Sequence, residues 1–585
     1  MSSEALGDGL LPPALVEMAA RIVRQCGEHA GPDSASLTAA CALALNQLSQ
    51  GHTRVDISGS GRILLAPRDP RAGGDRIEVA VPVRIRESVA RAADRGSALV
   101  ARMDVRDEAA APTPMVIEGD HLSLARCRND ESALALSLRR RSQPLPGHEW
   151  RRDAVMAILE SWGASAGDGA QQRAVLCSAV RGLAIVTGGP GTGKTTVAAR
   201  VAAAHARILA GRGVKAALRL LAPTGKAASR LSESFAAAAD ALPGSDGAAL
   251  RGCLATTVHA VLHGRESESL ARATMVIVDE ASMIDLALMR RLTDAVPQSA
   301  TLVALGDREQ LASVEAGTVL ADMTEPGSAI AESVTRLELS HRFSRDSQIG
   351  ILARAVLDGD ADRALERLAG GEAHGKPGGS SAGMERGSRA AAGTRLLDCR
   401  SDREVLRAAV DIFRHHGRDT AILCAHRHGA TGALEINRLC ADASGARTSD
   451  PLSAVHWEGR PIIVTENDHA LALMNGDVGV MRAGPDGRIE ARFPGREAGV
   501  PAAILPAVES AYALTIHKSQ GSEYDHVALV LPSAPSPILS RELLFTGITR
   551  ARQSVTVIGP PDRVREAIGR RVSRASGLSD RLRIG

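Results

Sequence analysis

Residues 185–196 read IVTGGPGTGKTT. Within them Gly188, Gly193, Lys194 and Thr195 keep the GxxxxGK[ST] spacing, directly after the apolar run LAIVT (183–187) and directly before the helical pattern TVAARVAAAHARIL (196–209). A strand, a glycine turn and a helix in that order form a phosphate-binding loop. The glycines let backbone N–H groups curl round a phosphate, and the helix N-terminus adds the positive end of its dipole. Gly188, Gly189, Pro190, Gly191, Thr192, Gly193, Lys194, Thr195 and Thr196 are therefore the expected nucleotide-binding set. Lys194 would neutralise β/γ oxygens of ATP, and Thr195 would ligate Mg²⁺. A bare glycine turn is the alternative reading, and the flanking strand and helix count against it.

Outward from this loop the same pattern repeats. The apolar runs RLLAP (219–223), MVIVDE (275–280) and LVALGD (302–307) are each followed by a small-residue turn and a helical stretch, which predicts a parallel sheet flanked by helices. Ligands gather at the carboxyl ends of such strands. There stand Asp279 and Glu280, suited to a magnesium-binding carboxylate and one that polarises an attacking water. Further strand ends carry Gly306, Asp307 and Gln310, and Pro223, Thr224 and Lys226.

A second strand-and-helix region begins at AILCAH (421–426) and closes with HVALVLP (526–532) and SVTVIG (554–559). Between them, residues 458–506 hold short alternating runs broken by NGD and PDG turns, the pattern of a small β-barrel. Residues 370–395 are rich in Gly and Ser and poor in bulky apolar side chains, so a disordered surface loop is expected there. The N-terminal residues 1–150 open on helical patterns, ALVEMAARIVRQC (14–26) and SLTAACALALNQLSQ (36–50). The expected division is a mainly helical segment at 1–150, a first sheet domain at 151–345 and a second at 346–585.

Composition narrows the function classes. The chain has 585 residues, more than one hydrophobic core usually organises. Its 70 basic and 67 acidic side chains leave a net charge of +3, so any nucleic-acid surface must be a local patch. Aromatic residues make up only 2%, which leaves few to stack bases and shifts strand binding toward phosphate contacts and salt sensitivity. Eight cysteines are scattered without a CxxC pair, as in reduced thiols rather than a metal site. No stretch approaches about 18 uninterrupted apolar residues and no secretory start is visible, so a cytoplasmic, non-membrane protein is expected. No compact carboxylate and lysine cluster outside the ATP site suggests a nuclease.

Later segments complete a series: ELSHRF (338–343) with Arg342, ALTIHKSQGSEYD (513–525), and LFTGITRAR (544–552) with Arg550. In order, these segments resemble the helicase motifs of superfamily 1. DEASMIDLALMRRL (279–292), GDREQLASVEAGTVL (306–320), LCAHRHGATGALEINR (423–438) and HKSQGSEYDHVALVLP (517–532) are similar to the RecD family, the alpha subunits of exodeoxyribonuclease V. The resemblance implies an α/β fold of two RecA-like P-loop motor domains, a helical N-terminal domain that docks on partner subunits, and a small SH3-like β-barrel insertion. It implies an ATP-dependent 5′ to 3′ DNA helicase acting in double-strand break repair and recombination. Its partners would be single-stranded DNA, duplex DNA ends, and RecB-like and RecC-like subunits.

By the same resemblance Gln171 reads the adenine edge, Lys194, Thr195, Asp279 and Glu280 bind and hydrolyse MgATP, and Gln310 senses the γ-phosphate. It implies that Arg342 and Arg550 would act as arginine fingers, and that Pro223, Thr224 and His259, with Thr515, His517 and Gln520, would hold the DNA strand. A free-standing superfamily 1 helicase, an ATPase-inert scaffold subunit and translocation on RNA are the alternatives; the full set of ATP-site groups argues against the scaffold.

Overall fold

Leu183 and Ile185 face one side of their strand and Ala184 and Val186 the other, and the two pairs enter different apolar cores. Met275 and Ile277 separate from Val276 and Val278 in the same way. This period of two is what a strand buried on both faces requires, and it explains why such strands read as continuous apolar runs. In the computed structural model they belong to a six-stranded sheet in the order Val334–Leu337, Leu183–Gly188, Thr301–Gly306, Met275–Val278, Leu218–Ala222, Ala255–Thr257. All its pairings are parallel.

The structure describes residues 11–28, 31–58, 62–65, 77–263, 267–313, 315–338, 347–369, 393–416, 419–444 and 457–583, apart from positions 469, 472, 485, 486, 495, 497 and 573. Arg342, and residues 370–392 of the expected disordered loop, lie outside the described residues. The end of that loop reading is corrected: residues 393–395 begin the strand Gly393–Leu397, which pairs in parallel with Ala551–Ile558. A composition window blurs such a border, because a glycine-rich stretch runs directly into the strand.

The second parallel sheet has five strands in the order Gly393–Leu397, Ala551–Ile558, Tyr524–Val530, Thr420–Cys424, Ala513–Thr515. The chain is thus α/β, with two parallel sheets flanked by helices. Inserted into the second is a five-stranded antiparallel sheet in the order Val500–Pro501, Ile489–Arg492, Val478–Ala483, Pro461–Val464, Val508–Ser510, with a small core of its own around Ile462, Met481 and Phe493.

The N-terminal segment carries the helices Pro13–Gln25, Ser34–Ser49, Val83–Asp94 and Ala125–Ser142. It also carries a four-stranded and a two-stranded sheet, which the helical reading omitted. Strands of three or four residues are too short to display a period of two. The C-terminal helix Leu578–Arg583 returns to this side of the molecule: Leu578 and Leu582 enter the first sheet domain's core. Arg581 there is buried between Glu118, at 2.6 Å, and Glu131, at 3.5 Å. Removing one member of such a buried set leaves an uncompensated charge, so it fixes the docking of this helix.

Candidate functional site

The glycine loop between the strand Leu183–Gly188 and the helix Lys194–Ala210 takes its shape from residues only glycine can supply. Gly191 and Gly193 have φ of +74° and +83°. At Gly188 a Cβ would lie 2.7 Å from Thr192 Oγ1 and 2.9 Å from the Leu337 carbonyl. Thr192 Oγ1 donates to the Gly189 carbonyl at 2.9 Å. Lys194 Nζ folds back over the loop and donates to the carbonyls of Gly188 and Gly189, at 2.7 and 3.1 Å. The helix behind is anchored by Val197, Ala198, Val201 and Ala202, all fully buried. Alanine there gives close packing and high helix propensity together.

Pro190 to Thr196 line a cavity of about 430 Å³ together with Asp279, Glu280 and Gln310, and with Gly521, Glu523 and Arg550 from the second sheet domain. Burial and then Glu280 push the Asp279 carboxyl up, to about 6, while Lys194 pulls it down. Glu280 N–H donates to Asp279 Oδ1 at 2.9 Å. Glu280 has φ of +51°, the one non-glycine residue with positive φ among the described residues. Such strain persists where surrounding structure imposes it, and it clusters at active sites. Asp307, its carboxyl raised by burial first, accepts from Gln310 Nε2 at 3.1 Å. Arg550 is buried, and its Nη2 donates to Gln310 Oε1 at 3.4 Å, across the boundary between the two domains.

Gln171 is not among the residues lining this cavity; its Oε1 accepts from Arg200 Nη1, on the glycine-loop helix, at 2.5 Å. Arg230 does line it and was not singled out in the sequence. Its Nη1 donates to the Gly521 carbonyl at 2.9 Å, and it pairs with Glu523. The only local signal was its place on the helix that follows the strand end at Pro223.

A second cavity, of about 310 Å³, brings together Pro223, Thr224, His259, His517 and Gln520. Thr515 is not among the lining residues; its Oγ1 accepts from the N–H of Lys518, which is, at 3.2 Å. Thr224 caps the helix Gly225–Asp240 by accepting from Ala227 N–H at 3.2 Å, which fixes the loop at the strand end. The inserted antiparallel sheet supplies Asn467 and Asn475 to this groove, and neither was expected. The sheet docks closely, since a Cβ at Gly225 would lie 2.5 Å from Met474 Cβ. Burial and then Arg574 hold the His517 imidazole below its usual value, which favours the neutral ring.

The residues 167–374 match the AAA domain model, and 510–558 match the UvrD-like helicase C-terminal domain. The chain is 42% identical over 434 residues to the RecBCD enzyme subunit RecD of Mycolicibacterium smegmatis, covering 71% of this chain and 74% of that protein. The chain belongs to the RecD family. A second member, the RecBCD enzyme subunit RecD of Mycobacterium tuberculosis, is 40% identical over 424 residues, covering 70% of this chain and 72% of that protein. The ATP-dependent RecD2 DNA helicase of Deinococcus radiodurans is 30% identical over 423 residues, which cover 68% of this RecD-family chain but 50% of that protein. Among the described residues, no helix is long and apolar enough to cross a membrane.

Proposed function

We propose that the chain is an ATP-dependent DNA helicase that moves 5′ to 3′ on single-stranded DNA, as one motor of a RecBCD-type complex with RecB-like and RecC-like subunits. One arrangement carries this reading. Gln310 and Gly521 line the cavity at the glycine loop, and their chain neighbours Leu311 and Gln520 meet in a hydrogen bond, with Gln520 lining the groove. Whatever moves the cavity wall therefore moves the groove wall beside it.

ATP would enter with its phosphates on the loop N–H groups and Lys194. The donor set suits Mg²⁺: the Thr195 hydroxyl and the Asp279 carboxylate are hard oxygen ligands, and the raised Asp279 carboxyl beside Glu280 marks a site where added positive charge is favourable. Bound there, the ion would supply charge neutralisation to the phosphates. Glu280 would orient and polarise the attacking water, and Gln310 would sense the γ-phosphate. Arg550, held from the second domain, would stabilise charge on the transferring group. Arg342 is assigned the same role on the resemblance alone, as Gln171 is for adenine.

Hydrolysis would release Arg550 and loosen the contacts at Gln310, letting the second domain shift on the first. Pro223, Thr224 and His259 on one side, with Thr515, His517 and Gln520 on the other, would grip the strand alternately. The 42% identity to a RecD subunit, against 30% to the RecD2 helicase, supports the subunit reading over the free-standing one. Unwinding of duplexes bearing a 5′ or a 3′ tail, by the chain with its co-purified partners, tests the polarity. Unwinding only from the 5′ tail is expected, and unwinding only from the 3′ tail overturns it.

A further inference from the structure

A third cavity, of about 930 Å³, opens where the N-terminal segment, the second sheet domain and the return of the chain at 570–575 meet. Its walls carry Arg54, Arg570, Arg571 and Arg574 against the carboxylates of Asp56 and Glu566. Arg54 pairs with Asp580 at 2.6 Å and Arg570 with Glu566 at 3.1 Å, while Arg574 donates to the carbonyls of Ser313, Glu315 and Gly317 at 2.8 to 3.0 Å. Arg571 is 61% exposed and lies 3.9 Å from Glu309. A cation so exposed, on the wall of a wide cavity, can turn to a ligand at little cost.

This cavity adjoins the groove. His517 lines both, and Leu311, whose carbonyl accepts from Gln520 in the groove, lines this one. A single strand leaving the groove past His517 would then meet a wall lined by four arginines and two carboxylates, with Asp580 and Glu309 just outside the lining. We propose that this cavity is a second binding segment for single-stranded nucleic acid, which runs on from the groove between the N-terminal segment and the second sheet domain. The proposal rests on the groove holding a strand. With few aromatic side chains in the chain, recognition here is of phosphates by guanidinium groups rather than of bases by stacking.

The test uses oligothymidylates of increasing length, binding followed by fluorescence anisotropy over a range of salt, with the full chain and whatever subunits co-purify. Two exposed positions are varied, so that the fold is kept: Arg571→Glu, and Val572, 38% exposed on the cavity wall, to Glu or to Lys. Oligonucleotides that fill only the groove should bind all variants alike. Longer ones should bind Arg571→Glu and Val572→Glu about threefold to tenfold more weakly, with a salt slope smaller by about 0.7 for each phosphate that is no longer neutralised. Val572→Lys should tighten the longer ones. The opposite signs at one position exclude a general structural defect. Equal effects at every length, or none, would overturn the proposal and leave the groove reading standing. Failure of the unaltered chain to bind strands of any length would overturn both.

Discussion

Gln520 Nε2 donates to the Leu311 carbonyl at 3.0 Å, joining the two parallel-sheet domains at the point where the cavity at the glycine loop and the groove come closest in sequence. Thr546 Oγ1 accepts from Leu311 N–H, also at 3.0 Å, so both backbone groups of Leu311 are held by the second domain. Thr546 sits one turn before Arg550, whose Nε donates to the Thr546 carbonyl at 3.1 Å. The arginine aimed at the cavity and the residues at the groove are thus one connected set, and the expected effects of substitution follow from its members.

Arg550→Ala should slow ATP hydrolysis by about 10³-fold or more while changing ATP affinity much less, because the group acts on charge that develops in the transition state. Arg550→Lys keeps the charge but not the forked donor geometry, and should recover only part of the loss. Steady-state turnover and nucleotide titration measure the two quantities. A loss below tenfold would remove Arg550 from the finger role.

Glu280→Gln should keep ATP binding and lower turnover by about 10²–10⁴-fold, the range of general-base contributions. Gln matches Glu in size, so the φ of +51° at this position should be kept and the loss should report the carboxylate and not the backbone. Pre-steady-state binding with single-turnover chemistry separates the two steps, and unchanged chemistry would reassign the base.

Asn475→Asp places a carboxylate in the groove without touching the glycine loop. DNA-stimulated turnover should then need a several-fold higher concentration of single-stranded DNA for half its effect, while turnover without DNA stays the same. A changed basal rate with unchanged DNA dependence would separate the inserted sheet from strand binding.

Asp322 accepts from Ser576 Oγ at 2.8 Å, beneath the returning C-terminal segment. Burial raises its carboxyl from 3.8 to about 7, against the pull of the Ser576 hydrogen bond. The folded state therefore holds this proton more tightly than the unfolded chain does. Its contribution to stability is fully present below pH 3.8 and is lost as pH rises through about 7. Asp322→Asn, a neutral side chain at every pH, should flatten that decline. Thermal unfolding at about pH 5 and about pH 8 compares the slopes. An equal decline in both proteins would show that Asp322 is not its source.

The grouping of the glycine loop with Asp279 and Glu280 was legible because its parts are local: a strand end, a glycine loop and a helix start lie within a dozen residues, and Asp279 and Glu280 follow a four-residue apolar strand. What the sequence hid is set by tertiary approach. Asn467 and Asn475 reach the groove only because an antiparallel sheet folds onto the first domain, and no periodicity in residues 458–506 announces that contact. Arg230 gains its place from a carbonyl almost three hundred residues away, at Gly521. The tie of Arg581 to Glu118 and Glu131 is equally remote, and a charged residue near the C-terminus gives no hint that it will be buried. Gln171 marks the opposite case: the resemblance put it at the adenine edge, but its amide is engaged by Arg200 and it is not among the residues lining the cavity.

The most direct test of the coupled motor is ATP turnover by the purified chain, with its co-purified partners, measured with and without single-stranded DNA and repeated with Lys194→Gln. Lys194 opens its helix at the cavity wall, half-buried rather than in a core, so its replacement should leave the fold intact and lower turnover by about 10²–10³-fold. The account predicts hydrolysis stimulated by the strand in the unaltered chain and lowered by that factor in the variant, with or without the strand. Hydrolysis indifferent to DNA that binds the groove, or turnover unchanged by Lys194→Gln, would contradict it.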